Sequence, residues 1–396
     1  MKINAVVTNL NLRRNAMLRV KNVLLLVIAG LSLLMATGCD VTEKTCTKKP
    51  SAKLLCEKKA VEKETCEKKP AIDAFEQNKR LGRGINMGNA LDAPREGEWG
   101  VVIKEEYFKI MKDAGFNSVR IPCRWSAHSL NEPPYTIDPV FMKRVDWAVN
   151  CALAQKLPVM LNIHHYNELN LDPQGGKAKY LALWEQIAEH YKDYPDTLMF
   201  ELLNEPRTNL TPKVWNKFML ESLALVRKSN PNRTIVIGSG ENNVIEQLKD
   251  LDIPKDDRNI IVTIHSYDPL EVTHQGADWI TKYDSSKWLG TKWTGTKAEK
   301  KAITDKFDIA AAWGKKHNRP INLGEFGAYE KADMESRACW TKFVADTAIE
   351  RGMSFHYWEF CAKEFGLYDQ QTKSFRKPLL DAVLPPAVSK VEPAKK

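Results

Sequence analysis

Leu198-Met199-Phe200-Glu201-Leu202-Leu203, running into Asn204-Glu205-Pro206, is the stretch on which the architecture turns. The six residues read as a short buried strand, and the polar triplet marks where it ends. A second such run, Pro320-Ile321-Asn322-Leu323, ends in Gly324-Glu325-Phe326-Gly327. Outward from these two, the same signal recurs at Gly82-Arg83-Gly84-Ile85-Asn86, Ser118-Val119-Arg120-Ile121-Pro122, Pro158-Val159-Met160-Leu161-Asn162-Ile163, Thr234-Ile235-Val236-Ile237-Gly238, Ile260-Ile261-Val262-Thr263-Ile264 and Met353-Ser354-Phe355-His356-Tyr357-Trp358. Segments of helical period lie between them, such as residues 104–113, which stop at Gly115. Strands alternating with helices imply βαβ units and a parallel sheet. Eight units in one domain predict an α/β fold of the (β/α)8 TIM-barrel type with one enlarged loop. A doubly wound sheet would carry a glycine-rich turn after its first strand. Gly82 and Gly84 instead lie before and within that strand.

In such a barrel the functional side chains gather at the C-terminal ends of the strands. Those ends deliver Asn86 and Asn89, Arg120, His164 and His165, Asn204 and Glu205, His265 and Tyr267, Glu325, and Trp358. Each alone has an ordinary structural explanation; the joint pattern does not. Glu205 and Glu325 form a pair of carboxylates on separate strands, the requirement for glycosidic bond cleavage with a proton donor and a nucleophile. Arg120 is positioned to keep Glu325 ionised. His164 and His165 are adjacent in an extended segment, so one is expected in the pocket and the other behind it. Six of the eleven tryptophans (Trp99, Trp125, Trp279, Trp288, Trp293 and Trp358) fall in or beside the predicted top-face loops. Flat aromatic rings there suit the C–H faces of pyranoses. Residues 266–297 are too long for an ordinary connection and read as one wall of a cleft.

The net charge of +9 does not indicate nucleic-acid binding. Residues 1–70 carry fourteen of the basic and six of the acidic residues, so the remainder is close to neutral. Arg13, Arg14, Arg19 and Lys21 precede an uncharged run over residues 23–36, too short for a comfortable membrane span. Ala36-Thr37-Gly38-Cys39 resembles the lipobox of bacterial lipoproteins. Residues 1–38 are therefore expected to be a lipoprotein-type signal peptide, with Cys39 lipidated and the protein exported and held at the cell envelope. Secretion without an anchor is the alternative. Residues 39–72 form a Cys/Lys/Glu-rich linker in which Cys46, Cys56 and Cys66 recur in an imperfect decapeptide repeat. Residues 73–384 are expected to form the barrel, and residues 385–396 a disordered tail. Cys123, Cys151, Cys339 and Cys361 could pair after export, although Cys151 and Cys339 sit in helical segments and read as core.

The chain resembles glycoside hydrolase family 5, the cellulase family, over residues 78–384. The resemblance rests on Gly84-Ile85-Asn86-Met87-Gly88-Asn89-Ala90, Val119-Arg120-Ile121-Pro122, Asn162-Ile163-His164-His165-Tyr166, Leu203-Asn204-Glu205-Pro206, His265-Ser266-Tyr267, Gly324-Glu325-Phe326-Gly327 and Tyr357-Trp358-Glu359-Phe360. It implies Glu205 as acid/base, with its carboxyl raised above the ordinary value, and Glu325 as nucleophile. It further implies Asn204 on the sugar 2-hydroxyl, Tyr267 orienting Glu325, His265 beside both carboxylates, and Trp358 beneath the sugar. Thr273-His274-Gln275-Gly276 and Trp279 resemble the branch whose members often accept both β-glucans and β-mannans. Cys123 stands where relatives commonly carry an aliphatic residue, which suits a buried thiol. The expected partner is a β-glucan or β-mannan polysaccharide, on a monomeric catalytic domain with no metal and no cofactor. A non-catalytic surface glycan-binding lipoprotein would predict affinity without turnover. A metal-dependent barrel hydrolase would have to recruit His164, His165 and His265, and Asn86-Met87-Gly88-Asn89 offers it no good ligand.

Overall fold

The computed structural model describes residues 73–384, so the expected leader, the lipidation site at Cys39, the linker and the tail lie outside the described residues. All eight apolar runs are strands: β1 Arg83–Asn86, β2 Ser118–Ile121, β3 Val159–Asn162, β4 Leu198–Glu201, β5 Ile235–Gly238, β6 Ile260–His265, β7 Ile321–Glu325 and β8 Ser354–Tyr357. Each pairs in parallel with its sequence neighbour, and β8 returns to β1, closing the barrel. The (β/α)8 architecture expected from the sequence is the one observed.

Alternation along each strand sorts its side chains into two layers. Val119, Leu161, Phe200, Ile237, Val262, Leu323 and Phe355 face outward into one continuous core with the helices. Met160, Met199, Val236 and Ile261 face inward and meet Ala74 and Leu81. The last two belong to helix α1 (Ala74–Leu81), whose first turn is capped by Asp73. It closes the lower mouth: Gln77 donates to the Asp196 carbonyl, and Ser118 donates to the Leu81 carbonyl. Above the inner apolar layer the interior turns polar, which sets the stage for chemistry at the upper mouth.

Outside the barrel lie α2 Glu105–Ala114, α3 Pro139–Ala154, α4 Pro173–His190, α5 Pro212–Ser229, α6 Lys297–His317, α7 Met334–Glu350 and α8 Lys377–Val383. Gly115 ends α2 in the left-handed conformation, φ 107°, as the sequence predicts. The unit after β5 is abbreviated to a turn at residues 240–243 and a 3₁₀ stretch, Ile245–Asp250. The long segment after β6 ends at a capping box, Thr296 with Glu299, that starts α6. A two-stranded hairpin, β9 Tyr368–Asp369 with β10 Ser374–Phe375, follows β8.

One register slip positions the site. Ile264 pairs with Leu323, but His265 pairs with Glu325, so Gly324 is the extra residue of a bulge. Strict alternation would turn Asn322 and Gly324 inward and Glu325 outward; the bulge re-aims Glu325 into the mouth. The bulged position has no room for a side chain. A β-carbon on Gly324 would stand 2.5 Å from Thr263 Oγ1 and 3.1 Å from His265 Nε2. Gly324→Ala is therefore expected to lose about 1–3 kcal/mol of unfolding free energy in a urea titration. Wild-type stability would contradict this reading of the bulge.

Candidate active site

Arg120 is the third residue of β2, faces inward and has no exposed surface. Taking a guanidinium out of water is costly unless every donor is matched. Here all five N–H groups find oxygens. Nε and Nη2 donate to Glu201 at 2.6 and 2.8 Å. Nη2 also donates to Asn204 Oδ1 at 2.7 Å. Nη1 donates to Asn86 Oδ1 at 2.8 Å and to Glu325 Oε1 at 2.7 Å. Asn86 in turn donates to the Gly324 and His356 carbonyls, tying β1 to β7 and β8.

Glu325 is held from both sides, by Arg120 and by the Tyr267 hydroxyl, which donates to Oε2 at 3.0 Å. Its side chain is 6% exposed, against 21% for Glu205. Glu205 follows β4 at a left-handed φ of 48°. Its Oε1 lies 2.9 Å from His265 Nδ1, and Oε2 lies 3.3 Å from Arg207 Nη1. His265 Nδ1 is also 3.8 Å from Glu325 Oε2. Oxygens of the two carboxylates lie within 4.8 Å of each other.

These three groups share their charge. Burial disfavours charge on His265, but the facing carboxylates Glu325 and Glu205 outweigh it and raise its affinity for a proton. Burial also pushes Glu205 up, but the hydrogen bond and charge of His265, with Arg207, leave it below the ordinary carboxyl value. Glu325 is raised, by burial first and by Glu205, against the pull of His265 and Arg120. The sequence expectation of a raised Glu205 is thus not met in this geometry. The imidazole 2.9 Å away competes for the same proton.

His164 and His165 both line the cleft, contrary to the expectation that one would be turned behind it. His165 adopts φ 49°, which breaks the extended alternation that argument assumed. The His164 ring lies nearly parallel to Trp358, 8° between planes, and its Nε2 is 3.9 Å from Glu325. His165 stands edge-on to Trp99 and 3.7 Å from Asp92. Asn89, at φ 60°, is held at the rim because Asp92 accepts from the backbone N–H groups of Asn89 and Ala90. His274 and Trp279 line the wall formed by the segment after β6, with the Trp279 ring against Tyr329 and Phe365. The cleft encloses about 1420 Å³.

The tryptophan pattern was only partly a cleft pattern. Trp99, Trp279 and Trp358 line it. Trp125 and Trp293 are buried core, Trp125 donating to the Asn162 carbonyl, and Trp288 stacks obliquely on Tyr283 away from the cleft. Among the described residues, Cys123, Cys151, Cys339 and Cys361 form no disulfide with one another, and Cys339 is exposed rather than core. Cys123 is buried, as expected.

Sequence reading passed over four groups. Glu201, a carboxylate inside an otherwise apolar strand, was its own signal, since a buried charge demands a partner. Arg207 contacts Glu205 from two residues on. Asp92 stands beside His164 and His165, the acidic neighbour that the motif after β1 did not appear to supply. Glu359, fully buried and accepting from the backbone of Cys361 and Ala362, is pushed by burial to a carboxyl value of about 8. Among the described residues, two groups could approach a cation: Asp92 with His164 and His165, and Glu205 with His265 and Glu325. The oxygens of Asp92 are already engaged by the backbone N–H groups of the Asn89 turn.

Comparison with known proteins follows the same lines. The model of the cellulase family, glycosyl hydrolase family 5, matches residues 78–364. The chain is 36% identical over 321 residues to Endoglucanase H of Acetivibrio thermocellus, covering 80% of this chain and 34% of that protein. It is 31% identical over 333 residues to Cellulase/esterase CelE of the same organism, covering 78% of this chain and 39% of that one. The chain thus spans little more than a third of these two curated relatives. The structure of Thermotoga maritima Cel5A, solved with a mannotriose substrate, aligns with a TM-score of 0.77 and 53% identity, over 78% of this chain and 100% of that one.

Two outcomes test the electrostatics. Glu201→Gln leaves the Arg120 guanidinium under-compensated, and urea unfolding should show a loss of about 3–5 kcal/mol; a neutral effect would contradict the account. His356, below the site, is kept neutral down to about 3 by burial and then by Arg120. An unfolded histidine takes its proton near pH 6.5. The unfolded chain therefore binds more protons between these values, and stability falls as pH drops through that window, by about 1.4 kcal/mol per pH unit for this ring. In His356→Gln the plot of unfolding free energy against pH should be shallower by that slope.

Proposed function

The chain belongs to glycosyl hydrolase family 5, the cellulase family, and on that premise we propose that it hydrolyses β-1,4-linked glucan within the chain, by double displacement with retention. The observation that carries this reading is the pair Glu205 and Glu325, with oxygens within 4.8 Å in one cleft and different partners on each. Retaining glycosidases hold their carboxyl groups about 5–5.5 Å apart, whereas inverting ones leave roughly 6.5–9.5 Å for a water. Glu325, gripped by Arg120 and Tyr267, is the nucleophile: two donors orient it, and Arg120 pulls against the burial and the Glu205 charge that raise its proton affinity. Glu205, more exposed and joined to a histidine, is the proton carrier.

In the first step Glu325 attacks the anomeric carbon while Glu205 protonates the departing oxygen, giving a glycosyl ester on Glu325. A sugar seated over Glu205 strips water from its exposed face, which raises its affinity for the proton it shares with His265. In the second step Glu205 takes a proton from water, which attacks the same carbon, and Glu325 leaves. Asn204 accepts from Arg120 through Oδ1, which supports the expected contact of its amide with the sugar 2-hydroxyl. Trp358, parallel to His164, gives the sugar an apolar floor. A cleft above the about 300–1,000 Å³ usual for small ligands suits several sugar rings at once, as internal cleavage requires.

Mannan is the second reading. It is favoured by His274 and Trp279 on the cleft wall and by the mannotriose bound to the Thermotoga maritima relative. The lipobox-like Ala36-Thr37-Gly38-Cys39 supports export with a lipid anchor on Cys39, the linker holding the barrel clear of the envelope. Initial rates on carboxymethylcellulose, barley glucan, lichenan and mannan should rank the glucans first. A mannan rate well above all three would overturn that order. Glu205→Gln should lose roughly 10²–10⁴ in polysaccharide turnover, and Glu325→Gln should lose covalent labelling by a fluorinated glycoside as well. Either variant working at the parent rate would contradict its assignment.

A further inference from the structure

The ring nitrogen of His265 that is turned away from the carboxylates, Nε2, faces the side-chain amide of Asn243, whose Nδ2 lies 3.3 Å from it. Asn243 has no exposed surface, and its Oδ1 is buried without a hydrogen-bond partner among the described residues. It ends the turn after β5 in which Glu241, Asn242 and Asn243 are all left-handed, at φ 52°, 65° and 59°. Three such residues in succession are costly for side chains with a β-carbon. The amide is pinned against the end of β5, where a β-carbon on Gly238 would stand 2.1 Å from Oδ1. Backbone strain, an orphaned oxygen and an unfilled glycine thus coincide at one amide, held against one nitrogen.

The direction of that contact has a chemical consequence. An amide nitrogen can only donate, so it fits an Nε2 that carries a lone pair. The imidazole is then neutral, with its proton on Nδ1, directed at Glu205 Oε1. The competing form is the imidazolium, with protons on both nitrogens and Glu205 stripped to carboxylate. The two forms hold the same number of protons and differ only in whether one sits on Glu205 or on Nε2. The charged groups around the ring are Glu205 and Arg207 after β4, Glu325 on β7, Arg120 on β2 and, when protonated, His164 after β3; the Tyr267 hydroxyl stands near. The two carboxylates pull toward the imidazolium. Among the described residues, Asn243 is the group within hydrogen-bond distance of Nε2 that can oppose them.

We propose that Asn243 is a positioning residue for the reaction: by donating to His265 Nε2 it keeps the imidazole neutral and the transferable proton on Glu205. The proposal rests on the reading of Glu205 as the acid. The amide also has a second orientation available. Turned over, Oδ1 would accept from a protonated Nε2 in place of the Nδ2–H···Nε2 bond, which protonation of Nε2 has by then removed. That orientation suits the second half-reaction, in which Glu205 acts as a carboxylate base.

The test compares Asn243→Asp, Asn243→Ala and Glu205→Gln on two substrates: a cello-oligosaccharide, whose leaving group needs a proton, and a dinitrophenyl cellobioside, whose leaving group does not. Asn243→Asp can only accept, so it favours the imidazolium. Its kcat/KM on the oligosaccharide should fall about tenfold or more, with the alkaline limb of the pH profile moved upward, while the aryl glycoside stays within about threefold. Asn243→Ala should show the same selectivity, more weakly and without the shift. Equal losses on both substrates with an unmoved limb would make Asn243 merely structural and overturn the proposal. Glu205→Gln separates the two layers: if it fails to discriminate the substrates, the acid assignment falls; if it discriminates and the Asn243 variants do not, only this proposal falls. Nitrogen-15 NMR of the wild-type histidines is independent of how the variants fold. It should find His265 protonated on Nδ1 and bare on Nε2, and a proton on Nε2 in the resting enzyme would overturn the proposal.

Discussion

The upper mouth of this barrel is organised around one buried cation. Arg120 uses all five of its donors to join β1, β4, the turn after β4 and β7, through Asn86, Glu201, Asn204 and Glu325. Geometry and charge arrive together. The guanidinium fixes where Glu325 points, opposes its protonation, and leaves the Asn204 amide nitrogen available beside Glu205. Glu201 makes this possible. A guanidinium facing Glu325 alone would be poorly neutralised in so dry a place, and a buried charge without a full set of partners is among the costlier defects a fold can carry.

The rest of the site is built to differentiate two chemically identical carboxyl groups. Glu325 sits deeper, with a cation and a phenol as fixed partners. Glu205 sits shallower, on a left-handed backbone, and its nearest partner is a ring that can itself take up a proton. That asymmetry in mobility of charge distinguishes the group suited to attack from the group suited to proton transfer. His265 is the hinge of the arrangement, because it reaches both carboxylates with one nitrogen and Asn243 with the other.

Much of this was legible in the sequence because strand ends in a parallel barrel are a repeated, local signal. All eight strands were found within one or two residues, and Asn204, Glu205, His265, Tyr267, Glu325 and Trp358 do converge on one cleft. What escaped reading was whatever depended on departures from alternation or on contacts distant in the chain. The bulge at Gly324 and the left-handed His165 each reverse a side-chain direction that period-two reasoning would have fixed. Asn243 lies in a turn whose sequence, Gly240-Glu241-Asn242-Asn243, looks like an ordinary loop, and only the folded chain brings it to His265. Trp125 and Trp293 show the converse error: a residue type suited to sugar binding is equally suited to core, and position beside a loop does not decide between them.

The central claim is that Glu205 and Glu325 act on one anomeric carbon in two successive inversions. Proton NMR of a cello-oligosaccharide digest, read in the first minutes before the free sugar mutarotates, tests it most directly. The account predicts that the newly formed reducing end appears first as the β-anomer. First appearance of the α-anomer would mean a single displacement by water, for which inverting enzymes keep their carboxyl groups about 6.5–9.5 Å apart.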